Sequence, residues 1–73
     1  MIQSIIFNKK KWSPASAFLW LSMNRYKAKK IDETDKYYRF RQEDPKVGSK
    51  FFTMNAKDRS GKEYKSIKFI ISY

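Results

Sequence analysis

Seventeen Lys and Arg against seven Asp and Glu give this 73-residue, 8.8 kDa chain a net charge of +10 and a pI near 10. It has no cysteine and no histidine, which excludes disulfides and, in practice, a structural zinc site, whose usual ligands are those two residues. A single domain spanning residues 1–73 is expected, small enough that a partner subunit is the staple left to it.

The first predicted element is a strand in IQSIIFNK, rich in Ile and Phe. KWSPASAFLWLSMN then changes character. Ser13 suits an N-cap and Pro14 the first helical position, where its missing N–H costs nothing. Trp12 precedes the cap, placed for a hydrophobic staple with Ala17, and the helix should run from Pro14 to about Asn24, with a left-handed exit at Asn24 or its neighbour. YKAKKIDET and KYYRFRQED read as two strands joined by a short turn around Asp35 and Lys36. Pro45 and Gly48 mark a loop over residues 44–50. FFTMNAK is a further strand, and DRSG, with Asp58 first and Gly61 fourth, fits a type I turn. YKSIKFIISY closes the chain as a strand with Ile67, Phe69, Ile71 and Tyr73 on one face. The expected fold is α+β: a small, mostly antiparallel sheet of four to five strands with one helix on one face, in the order β-α-β-β-β-β.

The helix is the unusual element, because residues 13–24 hold no charged side chain in a chain that is 33% charged. At 100° per residue, Ala17, Trp20, Leu21 and Asn24 share the side that would pack on the sheet. Ala15, Phe18, Leu19, Ser22 and Met23 take the other side, and a helix apolar on both sides is normally buried on both. Those five residues are the candidate oligomer interface, with a dimer favoured over a covering loop from residues 44–50 or a membrane-surface helix.

Without His or Cys, the usual general base, nucleophile and transition-metal ligands are missing, and two glycines leave no phosphate-binding loop. The acids cluster at Asp32, Glu33 and Asp35 and at Glu43 and Asp44, where turn chemistry explains them better than a Mg²⁺ nuclease does. A non-enzyme is expected, with no metal, no cofactor and no small-molecule substrate.

The informative stretch is YYRFRQ. Strand alternation puts Tyr38, Phe40 and Gln42 on one face and Tyr37, Arg39 and Arg41 on the other. Arg binds phosphate bidentately, and Tyr offers a platform on which a base can stack. Lys65 and Lys68 on the last strand, and Lys9, Lys10 and Lys11 in the first loop, complete the candidate nucleic-acid-binding set. Lys27–Lys30 reads only as phosphate-neutralising or solubilising. No base-reading motif is present, so binding should be largely independent of sequence. The alternative for the strand is a solvated face whose Arg residues blunt a sheet edge.

The longest apolar run, Ala17 to Leu21, is far too short to span a bilayer, and Met1 to Phe7 lacks the lead-in of a secretory signal. Neither membrane insertion nor secretion is expected.

The stretches IIFNKKKWSPASAFLWL, KAKKIDETDKYYRFRQEDP and IKFIISY resemble a mostly uncharacterised family of small proteins and domains. It occurs in large double-stranded DNA viruses, the Marseillevirus-like giant viruses among them, and in phage structural or prohead-protease-like polypeptides. The matching positions are Trp12, Ala17 with Trp20 and Leu21, Asp32-Glu33-Thr34, Tyr38-Arg39-Phe40-Arg41-Gln42, Asp44-Pro45 and Ile67-Lys68-Phe69. The resemblance implies a viral protein, in the virion or in the cytoplasm or nucleus of the infected cell, and supplies no catalytic residues. Phe18 and Leu19 stand where the family helix usually carries Lys and Glu, which strengthens the self-association expectation. Charge, strand and resemblance together lead to a viral basic protein that binds nucleic acid through phosphate contacts. The alternative is a structural or adaptor protein of the particle that docks through its apolar helix.

Overall fold

The computed structural model describes residues 1–44 and 47–73, so positions 45 and 46 of the expected 44–50 loop lie outside the described residues. Among the described residues five strands and one helix follow in the order β1 (Ile2–Asn8), α1 (Pro14–Met23), β2 (Ile31–Glu33), β3 (Tyr37–Arg41), β4 (Phe51–Lys57) and β5 (Glu63–Ser72). The strands form one open antiparallel sheet, β2-β3-β1-β5-β4, so the first and last strands of the chain lie side by side near its middle. The fold is α+β, with the helix packed on one face.

Register explains which residues form the core. Ile31, Phe40, Ile5, Phe69 and Met54 line up across the sheet, and Tyr38, Phe7 and Ile67 form the next row. Onto these rows the helix presses Ala17, Trp20 and Leu21. Phe7 is the hub: its ring meets Trp12, Trp20 and Phe40 edge to face at 5.3, 5.8 and 5.5 Å, the geometry favoured by ring quadrupoles. Trp12 packs against the same cluster and donates its indole N–H to Ser66 Oγ at 2.9 Å.

The helix starts as its sequence dictates. Ser13 Oγ accepts from Ser16 N, Ser16 Oγ accepts from Ser13 N, and Pro14 occupies the first turn. It ends in a Schellman pattern, in which Arg25 N–H bonds Ser22 O and Tyr26 N–H bonds Leu21 O. The left-handed residue is Arg25, at φ 61°. A Cβ there is strained, whereas glycine is at home. Arg25→Gly is therefore expected to stabilise the fold by about 0.5–1 kcal/mol, seen as a higher midpoint in thermal unfolding.

The expected strand over residues 26–34 is shorter in the structure, covering only Ile31–Glu33. Residues before it have their backbone groups satisfied elsewhere. Tyr26 closes the helix cap and stacks on Trp20 with rings 6.0 Å apart and 10° from parallel. Lys27 is held at both backbone atoms by the Gln42 amide, each bond 2.8 Å. Gln42 is thus a buried clamp between the end of β3 and the chain leaving the helix.

The β4–β5 turn is built on Asp58. Its Oδ1 accepts from Ser60 Oγ at 2.6 Å and from the backbone N–H of Ser60 and Lys62, while Oδ2 accepts from Tyr64 Oη. These bonds, the Ser60 hydroxyl first, hold the carboxyl below its ordinary pKa against the opposing effect of desolvation. A carboxyl depressed on folding contributes stability that is complete above its unfolded pKa of about 3.9 and is lost as pH falls through the lower folded value. Asp58→Asn should lower the thermal midpoint at neutral pH and lessen its fall below about pH 4. Parallel pH profiles of the two proteins would refute this role.

Candidate nucleic-acid interface

Phe40 is fully buried beneath the helix and Tyr38 packs against the same core, so Tyr37, Arg39 and Arg41 occupy the opposite face of β3. Register extends that face across the sheet. One row runs Asp32, Arg39, Ile6, Lys68 and Asn55, and the next Arg41, Ser4, Ile70 and Thr53. Ile6 and Ile70 are half-buried between the cations, and Phe51 lines a depression with Gln3, Arg39, Arg41 and Ile70. The surface is apolar at its centre and cationic around it.

The two arginines are held differently. A bulge in β1 between Ile2 and Ser4 brings Gln3 and Ser4 under Arg39. Arg39 donates from Nε to Ser4 Oγ at 3.2 Å and from Nη2 to Gln3 Oε1 at 3.3 Å. Gln3 is itself fixed by Ser4 Oγ and by its own bond to Glu43 O. Arg39 is therefore half-buried and oriented, with guanidinium donors to spare. Arg41 is exposed, and its closest anion is Asp44 at 3.7 Å, an exposed pair worth little. Lys68 lies between these states, bonded through Nζ to Asn55 Oδ1.

The other expected contact residues scatter. Lys9 turns to the helix side, 3.0 Å from Glu33 and over the Tyr38 ring at 5.3 Å, so its charge is engaged away from the arginine face. Lys10 and Lys11 are exposed in the loop after β1, and Lys10 shares a depression with Tyr37 and Lys36. Lys65 is exposed where the register of β5 against β4 jumps. Lys27, Lys29 and Lys30, read from sequence only as a charge run, line one concavity with Arg41. The signal that could have promoted them is Gln42, which fastens that loop beside the end of β3.

The outer helix face is open. Leu19 and Met23 are 61% and 66% exposed, and Ala15 and Ser22 are exposed with them. Phe18 differs from expectation: its ring packs edge to face on Phe40 at 5.4 Å, so it belongs in part to the sheet side.

Among the described residues no helix is long and apolar enough to cross a membrane, and no group of three or more acidic side chains is placed to hold a metal ion. Comparison with family models, with curated proteins and with solved structures found no match.

Proposed function

We propose that the protein is a non-enzymatic basic protein that binds nucleic acid largely independently of sequence, through the face of the sheet opposite the helix. The observation that carries this reading is the pairing of an oriented arginine, Arg39, with an exposed and weakly paired one, Arg41, beside Lys68 on a surface that also exposes Phe51. An arginine already held in place loses little freedom when it meets a phosphate. Phe51 and Tyr37 offer rings for bases on the same face, which favours single strands over duplex. Lys27, Lys29 and Lys30 add cations beyond Arg41, in a concavity where Glu43 and Asp44 offset part of their charge. No cofactor or small-molecule substrate enters this reading. Its viral setting, in the virion or the infected cell, rests on the resemblance of the Tyr38–Gln42 stretch and its flanking segments. The test is a mobility shift with single-stranded DNA, duplex DNA and RNA over a salt series. With about six phosphate contacts, log affinity should fall against log salt with a slope near −5 on duplex DNA and near −4 on a single strand. Binding indifferent to salt would overturn the mechanism.

The exposure of Leu19 and Met23 favours a second reading, an adaptor of the virus particle that docks through its helix. It predicts saturable binding to a protein partner and no more affinity for DNA than any equally basic protein shows.

A further inference from the structure

The two edges of the sheet are protected very differently. β2 is three residues long, carries Asp32 and Glu33 and follows Lys29 and Lys30, so shortness and charge both guard it. β4 is seven residues long and exposes Phe51, Phe52, Thr53 and Met54 in succession, with no charge between Lys50 and Lys57. Lys50 and Tyr73 exchange both backbone hydrogen bonds, at 3.0 and 2.9 Å. Antiparallel pairing alternates, so Lys50, Phe52 and Met54 face β5 with their backbone groups, and Phe51, Thr53 and Asn55 present theirs to the free edge.

We infer that this edge pairs with the same edge of a second copy, antiparallel about a two-fold axis through Thr53, joining two sheets into one. The pleat sets the register. Residues opposite each other must lie on the same face, and the outward-facing residues must meet one another. Centring on Thr53 satisfies both and engages all three outward residues, with Phe51 opposite the second copy's Asn55 and Thr53 opposite its own counterpart. Phe52 then sits beside the second copy's Met54 on both sides of the axis, a sulfur–aromatic contact. The edge is complementary to itself in this register, which argues for a second copy as the occupant. Two bodies of net charge +10 repel, yet in this register Lys50 faces Ala56 and Lys57 faces Ser49, so no cation opposes a cation. The inference is independent of what the arginine face binds, and it places the dimer contact on β4 where the sequence pointed to the outer helix face.

The chain has no cysteine, so a single introduced thiol reports the register. In the proposed pair the two Thr53 Cα atoms stand about 5.5 Å apart, within the disulfide range of about 4.4–6.8 Å. Two Phe51 positions would be four residues apart along the strands, about 13 Å. Under mild oxidation Thr53→Cys should give a disulfide-linked species of twice the chain mass, and Phe51→Cys should not. Thr53→Pro removes an outward N–H and leaves the β5 ladder intact. By sedimentation the native chain should dimerise as concentration rises, while Thr53→Pro stays monomeric with an unchanged circular dichroism spectrum. A native chain that remains monomeric overturns the inference. So does equal cross-linking of the two cysteine variants, or a dimer that survives Thr53→Pro and is abolished by Leu19→Asp. Should Thr53→Pro fail to fold, the cysteine pair decides.

Discussion

Phe40→Ala is expected to leave most of the chain unfolded at room temperature. Phe40 is fully buried, pairs with Ile5 on one side and Ile31 on the other, and holds the rings of Phe7 and Phe18 edge to face. Truncating a buried phenylalanine costs about 3–5 kcal/mol, and the single core of a chain this short rarely supplies more than about 3–5 kcal/mol of net stability. Phe7 also carries the packing of Trp12 and Trp20, so removing the Phe40 ring beside it loosens both indoles. The measurement is urea unfolding followed by tryptophan fluorescence. A cooperative transition at nearly the native midpoint would show that the helix does not depend on this row of the sheet.

The second large effect concerns binding. Arg39→Ala with Arg41→Ala should weaken nucleic-acid affinity about tenfold or more and reduce the salt slope by about 2, one unit for each phosphate no longer neutralised. The two residues are not equivalent. Arg41 is exposed and, among the described residues, tied only to Asp44, so Arg41→Ala alone should leave stability unchanged. Arg39 rests on Ser4 and Gln3, so its removal should also cost about 1 kcal/mol of stability. Measuring both quantities on the single variants separates contact from support. Equal stability losses from the two would contradict the different ways in which they are held.

Much of the fold is legible in local chemistry. Ser13 and Pro14 announce the helix start, Asp58 to Gly61 the turn, and the alternation in YYRFRQ sorts Phe40 from Arg39. The strand order is hidden because pairing is set by long-range packing. A clue is present in composition: β1 and β5 carry Ile6 and Ile70 on the face away from the helix, as strands with neighbours on both sides can. The stretch before β2 departs from its expected strand because its helix cap and its clamp come from Arg25 and Gln42, residues whose partners are remote or atypical for the role. Lys9 cannot be told from Lys10 by sequence, because what separates them is an ion pair with Glu33, twenty-four residues along the chain. The β4 edge is equally hidden, since FFTMNAK becomes an exposed edge only through the order of the sheet.

In the proposed function a defined face of the sheet, and not overall charge, binds nucleic acid. The direct measurement compares two variants that each lower the net charge of +10 by two: Arg41→Ala with Lys68→Ala on that face, and, away from it, Lys11→Ala in the loop after β1 with Lys62→Ala in the β4–β5 turn. Titrated against the same fluorescently labelled single strand at one salt concentration, the face variant should lose several times more affinity than the loop variant. Equal losses would mean that binding follows net charge alone, and the proposed interface would be wrong.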